Sequence, residues 1–134
     1  MPYLGLVLTS MGFLVPVMAA SRMKKHVDAA LLSILTLTSL LYHGTVHPIA
    51  KGIDMCTAHA TSLFYLCRGV DNLMTKGIGH DLMALLWSGV SIWMYYNRSL
   101  TSKDEHISRL WHMRVHMSAN VALLCFLHAP LELC

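Results

Sequence analysis

Charged residues in this chain fall in bunches, and the stretches between the bunches are apolar. Tyr3–Ser21 and Ala29–Ala50 contain no Asp, Glu, Lys or Arg, and Met55–Cys67, Leu82–Asn97 and Val115–Leu131 are shorter stretches of the same kind. A membrane-spanning helix needs about 20 mostly apolar residues, with about 17 as the lower limit. The first two stretches reach that length outright, and the other three reach it by admitting Asp54, Asp81 or Arg114 near an end. The pattern predicts five helices, at roughly 3–20, 27–46, 52–68, 78–97 and 108–130. Pro16 should kink the first and His47-Pro48 should end the second, because proline removes a backbone donor and biases the residue before it away from helix. Arg68–Gly77 and Asn97–Glu105 read as polar turns, too short for a second domain. The expected fold is therefore all-α: one transmembrane helical domain over residues 1–134, a polytopic bundle of about five helices.

Composition agrees with a lipid solvent. Of the 134 residues, 55% are hydrophobic and only 13% charged. A soluble domain carries about 25% charged residues, and half of that does not cover a water-facing surface. The net charge of +3 is thinly spread and contains no basic run, which argues against nucleic acid as a partner. The tight cluster Arg22, Lys24, Lys25 follows the first apolar stretch with no Lys or Arg before it. Under the positive-inside rule that order predicts an uncleaved anchor, with the N-terminus outside and the C-terminus cytoplasmic. Cys56, Cys67, Cys125 and Cys134 form no CxxC pair and read as small apolar filler, with Cys67 or Cys134 open to palmitoylation on the cytoplasmic side. Trp87, Trp93, Tyr95, Tyr96 and Trp111 read as interfacial anchors, and Arg114 as a snorkelling side chain or a lipid-phosphate ligand.

Ionisable groups inside a span cost about 2.5–3.5 kcal/mol each, so each needs a reason. Ser39 and His43 are four apart on the second predicted helix and share a face, as do His112 and His116 on the fifth. Asp54 opens the third. With alternating helix directions, His43, Asp54, His112 and His116 all fall in the outer leaflet, at one depth. Histidines four apart can hold one metal ion, and a third imidazole from His43 would leave a fourth tetrahedral position open, the pattern of catalytic zinc. In that arrangement Asp54 would orient or deprotonate water, and Ser39 would hydrogen-bond the substrate carbonyl or the anion formed from it. The three imidazoles should then lie about 3–4 Å from one another. The third ligand is left open by spacing alone. His47, one turn after His43, is a substitute, and His106 is a poorer one because six residues turn it about 240° from His112.

Ser39-Leu-Leu-Tyr42-His43, then Asp54, then a late Trp111-His112 leading into HxxxH, resemble the signature of the CREST superfamily of seven-helix membrane proteins. That superfamily includes alkaline ceramidases, adiponectin and progestin receptors, and myomaker-like proteins. The first fifty residues look closest to myomaker and its transmembrane-8 relatives, on the charge-free first helix with an internal proline, the turn Arg22-Met-Lys-Lys-His26, Asp28, and Leu41-Tyr42-His43. The similarity covers about residues 3–67 and 108–130. It implies a zinc ion held by His43, His112 and His116, with catalytic Asp54 and Ser39 beside it. It implies either a zinc-dependent intramembrane hydrolase of a lipid amide or ester, or a non-enzymatic protein of membrane remodelling or fusion with a structural zinc. Five helices would be a shortened version of the family fold, and two copies forming a homo-oligomer would be one way to replace the missing pair. In relatives the aromatic-His pair usually closes the HxxxH motif. That alignment would put Ser108 at the first ligand position, with His116 supplying the missing imidazole one turn deeper.

Overall fold

A computed structural model describes residues 3–76 and 79–128, without the side chain of His80; Cys134 and the last two residues of the fifth predicted span lie outside the described set. Five helices are seen, and no strand occurs among the described residues. We label them α1 (Leu4–Arg22), α2 (His26–Thr45), α3 (Pro48–Lys76), α4 (80–101) and α5 (Glu105–His128). Consecutive helices are neighbours, and α5 returns to pack on α1, so the chain makes a ring of helices.

The break in α1 follows from Pro16. Its ring excludes the carbonyl four residues back, at Gly12, and the regular hydrogen bonding lapses between Met11 and Leu14 before resuming. Among the described residues, α1 and α2 alone are long and apolar enough to cross a membrane, with mean hydropathies of 1.8 and 1.3. The other three are more polar, with charged residues such as Lys51, Asp71, Arg98, Glu105 and Arg114 on exposed faces.

Much of the two predicted turns is in fact helix, residues 68–76 of the first and 97–101 of the second, leaving residues 102–104 as the break before α5. α3 continues through Arg68 and Asn72 to Lys76, since both residues find buried partners. Asp28 Oδ1 accepts from Tyr65 Oη at 2.7 Å and Arg68 Nη1 at 2.6 Å, and Asn72 Nδ2 donates to Asp81 Oδ2 at 3.3 Å. α4 likewise runs past Asn97 to Thr101, where Ser99 is buried against Ser108. Pro48 does not merely end α2 but is the first residue of α3, a position that needs no N–H donor. Between them Val46 takes the left-handed conformation, φ 55°, which is strained for a β-branched residue. Asp104 caps α5, accepting from the backbone N–H groups of His106 and Ile107 at 2.8 and 3.2 Å.

α2 supplies the inward stripe: Asp28, Leu32, Leu35, Thr36, Ser39 and His43 are all buried, at spacings of three and four. Asp28 and His43 thus lie about 22 Å apart along the helix, at opposite ends of the ring. At the Asp28 end, Arg68 Nη2 reaches Phe126 O and Lys25 Nζ reaches Leu127 O, so two cations meet the last carbonyls of α5. Gly69 lets α3 approach α5 closely, since a Cβ there would lie 2.6 Å from Phe126 Cε1. Phe126 is stacked on Tyr65 and has little room to move. Gly69→Ala is expected to destabilise the fold by about 1–3 kcal/mol, the range for an overpacked core. Thermal unfolding of the detergent-solubilised protein at wild-type stability would contradict this.

α4 is irregular at its centre. Ser88–Ile92 forms a π-helical segment, the kind of insertion that bends a helix. Below it, His80–Trp87 packs against both α3 and α5; above it, Trp93–Thr101 stays with α5 and leaves α3. Trp87 ties α4 to α5, its Nε1–H donating to Ser118 O at 3.1 Å. Trp111 stacks on Tyr95 and carries both Arg98 and Arg114 against its ring, 5.2 and 4.3 Å from the centroid.

Candidate metal centre

The stripe of α2 ends on His43, and α5 presents His112 and His116 one turn apart on the face toward it. The ring centroids are 5.3 Å apart for His43–His112, 5.1 Å for His43–His116 and 4.9 Å for His112–His116. One ligand nitrogen from each ring lies within 4.8 Å of the other two, so the three residues can hold a metal ion. This is wider than the 3–4 Å expected, because the rings rest edge to face, with interplanar angles of 69°, 60° and 69°. His43 and His116 are buried, at 2% and 6% exposure. His43 Nε2 is buried with no hydrogen-bond partner. A polar atom left in that condition costs about 1–3 kcal/mol. A cation shared with the two neighbouring imidazoles would engage it, so the donor set fits a metal.

Around the imidazoles lies a layer of hydroxyls that sequence reasoning missed. It comes from α1. Thr9 Oγ1 lies 3.1 Å from His116 Nδ1, and Ser10 Oγ lies 3.5 Å from the same atom. Ser10 Oγ donates to Leu6 O at 2.8 Å, so in its 2.9 Å contact with Ser39 it accepts, and the Ser39 hydroxyl donates. The one signal in the sequence was the hydroxyl pair Thr9-Ser10 inside an otherwise apolar stretch. Asn120 Nδ2 donates to His116 O at 2.9 Å, which continues the stripe of α5.

Asp54 sits nearly two turns into α3 rather than at its opening, because the helix starts at Pro48. It is 8% exposed and accepts from Thr38 Oγ1 at 3.3 Å. Asp54, Ser39, His112 and His116 share the wall of one cavity of about 310 Å³. Along α5 the cavity borders residues from His112 to Phe126, about 21 Å of helix. Its walls are mostly apolar, with Ser39, Asp54, His112 and His116 among the polar groups that border it.

The other histidines fall elsewhere. His47 is exposed, and its Nδ1 accepts from the Ile49 N–H at 3.2 Å, so it closes the turn into α3 instead of reaching the cluster. His106 and His128 are exposed near opposite ends of α5. His59 borders the cavity, although it lies five residues past Asp54 and would be set on another face; the cavity is wide enough to meet both faces of α3. Its Nδ1–H donates to Met55 O at 2.6 Å.

No family model, curated protein or solved structure matches the chain.

Proposed function

We propose that this chain is a multi-pass membrane protein and a zinc-dependent hydrolase of a lipid amide or ester, of the CREST type. One observation carries the reading: two imidazoles of a convergent three-histidine cluster and a buried carboxylate border one long, mostly apolar cavity. The reading of membrane solvent is supported by an inside-out distribution of side chains. Ser10, Asp28, Thr36, Ser39, Asp54 and His116 are buried, while Leu37 is 67% exposed and Ile49 68% exposed. Such broad apolar exposure suits lipid and is unusual for a water-soluble monomer. The basic turn Arg22–Lys25 supports an N-terminus outside and a cytoplasmic C-terminus.

Zinc is the ion favoured by an all-imidazole set with an open position, and when bound it supplies a Lewis acid and a water that ionises near neutrality. Its nitrogen ligands lie roughly 3.4 Å apart for bonds of 2.0–2.1 Å, so the rings must draw in by about an ångström. Hydrolysis joins the water oxygen to the acyl carbon, breaks the C–N or C–O bond, and moves one proton to the departing amine or alcohol. Asp54, on the wall of the same cavity, would hold that proton in between. The cavity would take the acyl chain, and Ser39, whose hydrogen goes to Ser10, would meet the polar head of the substrate with a lone pair or release Ser10 to donate to it. The chain would enter between α3 and the upper part of α4, whose residues Met55, His59, Ile92 and Tyr96 border the cavity.

The test is release of fatty acid from a panel of ceramides, phospholipids and acylglycerols in proteoliposomes, read by mass spectrometry. Asp54→Asn is expected to lower the rate about 10²–10⁴-fold, the range for losing a general base. Zinc-loaded protein that releases nothing from any lipid would replace the hydrolase with the myomaker-like reading, in which the metal is structural. Access gives a second prediction. A Cβ on Gly89, at the cavity wall, meets nothing within 4 Å. Gly89→Phe should fill the cavity and cut turnover about tenfold by displacing acyl carbons worth roughly 1.4 kcal/mol, with metal content unchanged. Unaltered turnover would place the substrate elsewhere.

A further inference from the structure

The hydroxyl layer on α1 has a chemical consequence for His116. A neutral imidazole carries its hydrogen on one nitrogen and offers a lone pair on the other, and the partner of the first decides which is which. His116 Nδ1 faces two hydroxyl oxygens, Thr9 Oγ1 at 3.1 Å and Ser10 Oγ at 3.5 Å. Each hydroxyl has one hydrogen, and each already has a carbonyl to give it to: Thr9 Oγ1 donates to Leu6 O at 3.1 Å, and Ser10 Oγ donates to the same oxygen at 2.8 Å. Both hydroxyls therefore present lone pairs to the ring. In that arrangement Nδ1 is the donor and Nε2 is left bare.

We propose that Thr9, supported by Ser10, is a positioning residue that locks His116 in the Nδ1–H form and so presents Nε2 to the metal. This rests on the metal-site reading given above and adds to it a role for the first helix. The close approach is built into α1. Gly12, one turn beyond Thr9, faces Asn120, where a Cβ would stand 3.2 Å from Asn120 Nδ2. Gly5, one turn before, meets Met113 in the same way, with a Cβ 2.9 Å from Met113 Sδ. Small residues on either side of Thr9 bring α1 near enough to α5 for a short hydroxyl to reach the ring. Metal-bound histidines are commonly held by such an outer partner, and its removal costs 10–100-fold in affinity.

The experiment uses the full chain in detergent, labelled with ¹⁵N-histidine, and reads the His116 tautomer in metal-free protein, with the signal assigned through His116→Asn. The Nδ1–H form is expected; the Nε2–H form overturns the proposal. The same protein is then titrated with zinc against a chromogenic chelator. Thr9→Val, which keeps the side-chain shape and removes the hydroxyl, should weaken zinc binding about 10–100-fold, and Thr9→Ser should restore it. Affinity for Thr9→Val within twofold of wild type overturns the proposal. Should Thr9→Val fail to fold, the wild-type tautomer still decides. Wild-type protein that shows the Nδ1–H form yet binds no zinc would refute the metal reading and leave the assignment of Thr9 intact.

Discussion

Replacing His43 with alanine is expected to strip the metal from the protein. Detergent-purified wild type should carry about one equivalent of zinc, and His43→Ala less than about a tenth. His43 is the only one of the three imidazoles that α2 contributes, and its buried Nε2 has no other partner. Binding free energies of structural zinc sites are about 10–16 kcal/mol. One ligand of three or four therefore accounts for roughly 3–5 kcal/mol, or two to four orders of magnitude in affinity. Loss of His112 or His116 should act alike, since each supplies one nitrogen to the same point. His47→Ala should leave the metal in place, because His47 is exposed and engaged in the turn before α3. Elemental analysis decides between these outcomes. Wild type with less than a tenth of an equivalent after growth in zinc would end the zinc reading. Full occupancy in His43→Ala would move the site elsewhere.

The second large effect lies at the opposite end of the ring and concerns stability. Asp28 Oδ1 accepts from Arg68 and from Tyr65, and the two charged side chains are 7% and 15% exposed. Removing one partner of a buried ion pair leaves an uncompensated charge and costs about 3–5 kcal/mol. Arg68→Leu should therefore lower the apparent midpoint of thermal unfolding by roughly 10 °C or more. Arg68 also reaches Phe126 O, so the variant frees the end of α5 as well. Adding Asp28→Asn should recover much of the loss, because the stranded carboxylate is then neutral. Tyr65→Phe removes one hydrogen bond to a charged group and should cost less, about 1.5–3 kcal/mol. A midpoint for Arg68→Leu indistinguishable from wild type would mean that water already screens this cluster.

These two sites differ in how far they could be read without coordinates. Hydrophobic runs and their breaks locate all five helices, because an apolar stretch of about 20 residues has few ways to satisfy its backbone other than helix. The pairing of Ser39 with His43, and of His112 with His116, is equally local, a matter of four residues per turn. The Asp28–Arg68 pair was not legible. Arg68 and Asn72 look like turn residues until their buried partners on α2 and α4 are known, and those lie 40 and 9 positions away. The exact seat of Asp54 also needed the fold, since Pro48 starts α3 a turn earlier than the charge pattern suggests.

Local periodicity and solvent preference, then, are enough to lay out helices and to say which side chains share a face. They act over a few residues, and the amino acids carry that information directly. Which faces meet is a property of packing over the whole ring. Only there do His43 and the HxxxH pair come within 4.8 Å of one another and α1 bring Thr9 to His116. The π-helical segment of α4 likewise bounds a cavity beside them only in the folded ring. Contacts separated by 69 or 107 positions depend on how helices cross, and no window along the chain contains them.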